Sequence, residues 1–162
     1  MTNDRPLSAP FPTVQPSPLD PASPPVILVV DDDFMVRRFI CVTLQREGYR
    51  VTEASNGVEA IIALGKIAPD LLITDLTMPQ KDGFEVIVEA TLRYPDMKIC
   101  AISGGLNPQS AFASLSSALV LGAHRFLAKP FEMAQLVQAV TALVPRPDSR
   151  DPLGEAAATP TA

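Results

Sequence analysis

The sequence predicts an α/β domain with five parallel strands in one doubly wound sheet and helices on both faces. Two observations indicate this class. Five short strand-like stretches, some apolar throughout and one alternating, are interspersed along the chain with five longer segments in which apolar residues recur at helical spacing. Polar residues of chemical interest also follow four of the five predicted strands. Because ligands of open parallel sheets bind at the carboxyl ends of the strands, the same pattern predicts where a functional site lies.

The first predicted strand, VILVV at 26–30, is apolar throughout, as expected for a strand that is covered on both faces. Glycines close two of the predicted helices and prolines follow two others, which are common ways for helices to end. The other predicted strands are 49–54, 71–74, 98–103 and 124–128, and the predicted helices are 34–48, 57–67, 84–94, 109–122 and 133–144.

Prolines delimit the predicted domain. Eight of the 17 prolines lie in residues 1–25 and four lie in 145–162. Proline cannot sustain a helix interior or donate to a sheet ladder, so we interpret 1–25 as a disordered leader and 145–162 as a disordered tail. The PxxP spacings of the leader fit either a linker or a docking motif. The folded part is expected at 26–144.

Composition and charge exclude several classes of protein. The formal net charge is −5 and the sequence has no basic stripe, so direct binding of nucleic acid is not expected. No apolar run approaches the roughly 18 residues that cross a bilayer, and the first residues lack a secretory pattern. We therefore expect a cytoplasmic protein without membrane contact. Cys41 and Cys100 lie in apolar-periodic segments and are expected to be buried free thiols.

The residues at the predicted strand ends each have an ordinary structural interpretation when taken alone. An aspartate after a strand often caps the next helix, and we expect this of Asp33. Taken alone, Asp75 could begin a turn, Ser103 could belong to an ordinary loop, and Lys129 could be a solvated side chain. The residues concerned are Asp31, Asp32 and Asp33 after the first strand, Asp75 after the third, Ser103 after the fourth and Lys129 after the fifth.

Taken together, these residues favour a site for phosphoryl transfer. Several carboxylates at one sheet edge are costly unless a cation neutralises them, and clustered carboxylate oxygens suit Mg²⁺. A lysine and a serine hydroxyl suit a phosphoryl group, and a free carboxylate can act as the nucleophile that forms an acyl phosphate. The residues therefore predict a Mg²⁺-assisted phosphoryl-transfer site.

Four motifs in order make a more specific resemblance. They are ILVVDDD, ITDLTMPQKDG, AISGG and LGAHRFLAKPF. With these motifs the chain resembles the receiver domain of two-component response regulators, and in particular stand-alone, chemotaxis-regulator-like receivers. The resemblance spans residues 26 to about 144 and implies a flavodoxin-like (βα)5 fold.

The resemblance assigns the phosphoacceptor and the metal site. It implies that a histidine kinase or a phosphotransfer protein phosphorylates Asp75. It also implies that Asp31, Asp32 and Asp75 bind Mg²⁺ together with the backbone carbonyl of Thr77.

The resemblance also assigns the residues that respond to the phosphoryl group. Ser103 and Lys129 are expected to bind it, and the peptide bond before Pro130 is expected to be cis. Ser103 and Phe126 are expected to form the conformational switch. Phe126 departs from the tyrosine that many receivers carry there, so a hydroxyl cannot contribute, and an ordinary core aromatic is the alternative.

The expected function is a single-domain response regulator that acts on a downstream protein target or within a phosphorelay, as a monomer or a weak homodimer. It is not expected to be an enzyme beyond its own phosphorylation and dephosphorylation. The alternatives are a non-phosphorylated pseudo-receiver, a phosphatase with an aspartyl-phosphate intermediate and, more weakly, a flavin-binding module. Thr77 stands where such a phosphatase often has a second aspartate, which counts against turnover. His124, the sole histidine, is expected at the surface rather than as a phosphodonor.

Overall fold

A computed structural model describes residues 23–79, 82–104 and 108–146, without the side chains of 108–112 and 115. Five strands alternate with five helices throughout this part of the chain. The strands are β1 Val26–Val30, β2 Arg50–Ala54, β3 Leu71–Asp75, β4 Lys98–Ser103 and β5 Arg125–Ala128. The helices are α1 Phe34–Arg46, α2 Gly57–Ile67, α3 Gly83–Arg93, α4 Pro108–Val120 and α5 Met133–Leu143.

The five strands form one parallel sheet in the order β2-β1-β3-β4-β5. The order reverses after β1, since β2 pairs on one side of it and β3 on the other. The predicted fold class is therefore confirmed, including the flavodoxin-like strand order. In such sheets a crevice opens at the carboxyl edge next to the reversal, which here lies between the ends of β1 and β3.

Alternate residues of the strands supply two apolar cores, one on each face of the sheet. Leu28 and Val30 of β1 belong to the core that α2, α3 and α4 cover. Ile27 and Val29 belong to the core that α1 and α5 cover. Both faces therefore need apolar side chains, which explains why the central strands β1 and β3 read as nearly continuous apolar runs, whereas the border strand β2 is more polar and less buried.

Helix α1 begins and ends at residues that the sequence singles out. Asp33 caps it, since one side-chain oxygen accepts hydrogen bonds from the backbone N–H groups of Met35 and Val36. These bonds lower the pKa of Asp33. The helix ends at Arg46, two residues before the predicted end, because Gly48 adopts a left-handed backbone conformation with φ of +89°.

Both cysteines are buried free thiols, as predicted. Burial raises the pKa of Cys41 to about 11 and that of Cys100 to about 12. Neither residue is therefore a reactive thiolate near neutral pH.

His124 is exposed, as expected, and closes the start of the β4–β5 ladder. Its Nδ1 accepts a hydrogen bond from the backbone N–H of Ile99 at 3.2 Å, and its own backbone N–H donates to the Ile99 carbonyl at 2.8 Å. Partial burial and the nearby charge of Lys98 lower its pKa. The neutral imidazole is thus the form that the folded state favours.

We expect His124 to make stability depend on pH between about 5 and 7. Because its folded pKa lies below its unfolded value, the unfolded chain binds more protons there, and stability falls as the pH falls. The free energy of unfolding, measured with urea at several pH values in this range, should change less with pH in His124→Asn than in the wild type. An equal dependence of stability on pH in the two proteins would show that the imidazole does not accept this hydrogen bond in solution.

The predicted leader and tail lie almost wholly outside the described residues, which begin at 23 and end at 146. Residues 80–81 of the ITDLTMPQKDG motif, the last glycine of AISGG and the two residues after it also lie outside the described ranges. No helix in the described ranges is both long enough and apolar enough to cross a membrane.

Candidate functional site

The carboxyl edge of the sheet brings together the side chains that the sequence predicts there. Asp31 follows β1, Asp75 ends β3, Ser103 ends β4 and Lys129 follows β5. Asp31, Asp75 and Ser103 are buried, whereas Asp32 is exposed. The group therefore has buried members within the edge and one carboxylate facing solvent.

Lys129 connects the two buried carboxylates. Its Nζ lies 2.6 Å from Oδ2 of Asp75 and 2.8 Å from Oδ2 of Asp31. Burial raises the pKa of Asp31, although Lys129 opposes this rise. Burial alone would lower the pKa of Lys129, but its hydrogen bonds to Asp31 and Asp75 outweigh that effect and the pKa is raised. Lys129 is thus held as an ammonium ion that offsets part of the negative charge of the cluster.

Short local hydrogen bonds orient both aspartates. The backbone N–H of Thr77 donates to Oδ1 of Asp75 at 3.0 Å, and that of Asp33 donates to Oδ1 of Asp31 at 2.9 Å. Each carboxylate is therefore held by the residue two positions later, where the chain turns away from its strand. The second oxygen of each side chain is the one that contacts Lys129.

The cluster fits a hard divalent cation. One oxygen from each of Asp31, Asp32 and Asp75 lies within 4.8 Å of the other two, and among the described residues this is the group with metal-binding composition. Since Mg–O bonds are about 2.0–2.1 Å long, two ligands of one ion lie at most about 4.2 Å apart. A small closure of the cluster would thus suffice for shared coordination, with water completing the shell.

The segment after β5 aims Lys129 at the cluster. The peptide bond between Lys129 and Pro130 is cis, as expected. The backbone N–H of Lys129 donates to the Ser103 carbonyl at 2.8 Å. A Cβ on Gly104 would lie only 3.2 Å from the lysine Cβ, so glycine lets the lysine stem pass closely over the end of β4.

A cleft of about 660 Å³ opens beside Lys129. It is largely apolar, and Phe39 and Phe131 lie in ring contact there with centroids 6.3 Å apart. Phe34 and Met35 at the start of α1 and Met133 at the start of α5 are exposed. The residues lining the cleft are Met35, Val36, Phe39, Gly104, Lys129, Pro130 and Phe131.

Phe126 lies on β5 opposite Ala101 of β4, with 43% of its surface exposed. The alternative of an ordinary core aromatic is therefore wrong for this conformation. Ser103 is buried two residues further along β4 and pairs with Ala128. The two predicted switch residues thus lie on neighbouring strands, one inward and one outward.

The structure adds two residues that sequence reasoning missed. A Cβ on Gly83 would lie 2.0 Å from the carbonyl oxygen of Asp75, so the start of α3 touches the backbone of the site. Arg37 donates from Nη1 to the backbone carbonyl of Asp31 at 2.6 Å. A glycine after Asp82 fits an ordinary helix start, and nothing in the sequence distinguishes Arg37 from the neighbouring Arg38.

A doubly wound sheet whose carboxyl edge carries three aspartates, a buried serine and an inward lysine is the arrangement that the resemblance to a receiver domain implies. Comparison with known families agrees, because the model of the response regulator receiver domain matches residues 27–141. The chain belongs to the response regulator receiver family.

Curated relatives include both short and long proteins. The chain is 36% identical over 118 residues to the response regulator receiver protein CpdR of Brucella abortus, covering 70% of this chain and 92% of that protein. It is 34% identical over 124 residues to the transcriptional regulatory protein PrrA of Mycobacterium leprae, covering 76% of this chain but 52% of that protein. The chain thus spans about half the length of the latter relative.

Solved structures show the same fold. The receiver domain of NtrX from Brucella abortus superposes with a TM-score of 0.67 at 28% identity, covering 72% of this chain and 96% of that one. The chemotaxis response regulator CheY4 of Vibrio cholerae superposes with a TM-score of 0.66 at 27% identity, and the match covers 75% of this chain and 100% of that one. Members of the receiver family are in general phosphorylated on an aspartate by histidine kinases and bind Mg²⁺ at an acidic pocket.

Proposed function

We propose that this protein is a single-domain response regulator in which Asp75 accepts a phosphoryl group in a Mg²⁺-dependent reaction. The environment of the Asp75 carboxylate supports this proposal most directly. The carboxylate is buried, held by the Thr77 backbone and paired with Lys129 within a cluster of three carboxylates. Similarity to CpdR over 92% of that protein supports action without a further domain.

The proposed chemistry is an in-line transfer to one oxygen of Asp75. That oxygen attacks phosphorus, the bond from phosphorus to the donor nitrogen or oxygen breaks, and the donor atom keeps the bonding electron pair. Bound Mg²⁺, held by Asp31, Asp32, Asp75 and the Thr77 carbonyl, would supply positive charge for the phosphoryl oxygens. Lys129 would release Asp31, remain beside Asp75 and neutralise a second part of that charge.

The surface around the cleft supports a protein as the physiological donor. Met35 and Phe39 are exposed and line the cleft together with Lys129, and exposed apolar patches beside a site favour protein docking. A histidine kinase or phosphotransfer protein would place its phosphohistidine over Asp75 from this side. His124 lies instead at the start of β5, away from that edge.

The proposed output is a protein contact controlled by Ser103 and Phe126. Phosphorylation brings roughly two negative charges to the end of β3, which would draw the Ser103 hydroxyl towards the phosphoryl oxygens. The half-exposed ring of Phe126 would then turn inward, changing the surface of β5 beside α4, which packs against this strand. The target would be a downstream protein or the next member of a phosphorelay.

Intact mass spectrometry with a small phosphodonor such as acetyl phosphate tests the proposal. The wild type should gain one phosphoryl group only when Mg²⁺ is present, and Asp75→Asn should gain none. Asp82→Asn is the matched control, because Asp82 caps α3 near the site and asparagine preserves a cap. That variant should be modified like the wild type.

Three outcomes would contradict the proposal. Equal modification of wild type and Asp75→Asn would place the phosphoryl group elsewhere. Absence of an adduct at all times after mixing, including the earliest measurable, would favour the pseudo-receiver. Continuous turnover of a phosphomonoester would favour the phosphatase, although Thr77 lacks the carboxylate that such turnover often uses as acid and base.

A further inference from the structure

Arg37 contacts three parts of the acidic edge at once. Its Nη1 donates to the Asp31 carbonyl at 2.6 Å, its Nε lies 3.3 Å from Oε2 of Glu53, and its Cζ lies 5.7 Å from the ring centroid of Phe34. Only 11% of the arginine side chain is exposed. A guanidinium can make such divergent contacts because its donors are fixed in one plane. Arg37 thus joins α1 and β2 to the loop that carries the acidic pair.

The contact to Asp31 completes the fixation of that residue. Its backbone N–H donates to the Ala54 carbonyl at 3.3 Å, and its Oδ1 accepts from the Asp33 N–H at 2.9 Å. Asp31 has no exposed surface, so its carbonyl depends on Arg37 for a donor in the described structure. A buried carbonyl that loses its donor is costly, and the loop would shift to reach water.

We propose that Arg37 is a positioning residue for the cation site: by holding the Asp31 backbone it keeps Asp31 and Asp32 converged on Asp75. The inference rests on the proposed function, in which this cluster binds Mg²⁺. Residues behind metal ligands commonly change metal affinity tenfold or more when removed.

Charge and position predict opposite effects of removing Arg37. A cation near the cluster repels Mg²⁺, so loss of its charge alone would tighten metal binding. Loss of its hold on Asp31 would weaken binding. Arg38, the next residue on α1, is exposed and carries the same charge, so Arg38→Met serves as the matched control.

Calorimetric titration of the metal-free, full-length protein with Mg²⁺ separates these effects. We expect Arg37→Met to weaken Mg²⁺ binding about tenfold and Arg38→Met to leave it unchanged or slightly tighter. Arg37→Lys keeps the charge but has one donor centre in place of the fork, so we expect an intermediate loss. It also provides a measurement should the methionine variant fold poorly.

Hydrogen exchange gives a second readout without metal. In Arg37→Met the Asp33 amide, which donates to Asp31, should exchange faster than in the wild type and in Arg38→Met. Mg²⁺ binding by Arg37→Met as tight as in the wild type, or tighter, would overturn the inference, as would weaker binding with unchanged Asp33 exchange. Failure of the wild type to bind Mg²⁺ would instead refute the metal-dependent function on which the inference rests.

Discussion

Gly83→Ala should destabilise the protein by about 3 kcal/mol, the scale of a severe overpacking. The new Cβ would lie 2.0 Å from the Asp75 carbonyl oxygen and 2.7 Å from the Leu76 Cα, and both are backbone atoms that cannot rotate away. A hydrogen bond from the Gly83 N–H to the Leu76 carbonyl also holds the start of α3 against the end of β3. Relief therefore requires α3 or the end of β3 to move, which would also disturb Asp75.

Gly65→Ala is the matched control for Gly83→Ala. Gly65 lies in α2, and a Cβ there would meet no atom within 4 Å. Alanine should stabilise the protein by about 0.5–1 kcal/mol, because it lowers the conformational entropy of the unfolded chain and favours helix. Urea unfolding of both variants measures the effects. A Gly83→Ala protein as stable as the wild type would contradict the close contact between α3 and the site.

Lys129→Met should destabilise the metal-free protein by about 2 kcal/mol near pH 7. The substitution leaves the buried Asp31 and Asp75 carboxylates without their shared ammonium ion. We take a value below that of a fully buried pair because 21% of the lysine side chain is exposed. Lys66→Met, an exposed lysine of α2, should have little effect.

The deficit of Lys129→Met should depend on pH and on Mg²⁺. Burial already raises the pKa of Asp31, and loss of Lys129 removes the opposing attraction, so the pKa rises further. The folded variant then binds more protons than its unfolded chain, and its deficit should shrink as the pH falls from 7 towards 4. Added Mg²⁺ should stabilise this variant more than the wild type. A loss of stability that depends on neither pH nor Mg²⁺ would show that Lys129 acts through packing alone.

The sequence predicted the sheet, its site edge and the chemical groups there, because both signals are local. Apolar runs such as 26–30 report strands buried on both faces, and residues that follow parallel strands share one edge whatever their separation along the chain. Asp31, Asp75, Ser103 and Lys129 could therefore be placed together from their positions after the predicted strands. The helix cap of Asp33 is equally local and was predicted for that reason.

Features that depend on packing between elements were not accessible in the same way. Which of Arg37 and Arg38 turns towards β2 depends on how α1 rotates over the sheet. The demand for glycine at position 83 arises from the distance between α3 and the end of β3. The outward ring of Phe126 depends on the exposure of β5 at the sheet border, whereas its aromatic character alone also suited a core position.

Phosphorylation of Asp75 can be tested directly by locating the phosphoryl group chemically. After brief exposure to acetyl phosphate and Mg²⁺, borohydride reduces an aspartyl phosphate to homoserine, which peptide mass spectrometry can assign to one position. We predict homoserine at residue 75 in the wild type, and none when Mg²⁺ is withheld. Homoserine at any other aspartate, with Asp75 intact, would contradict this prediction.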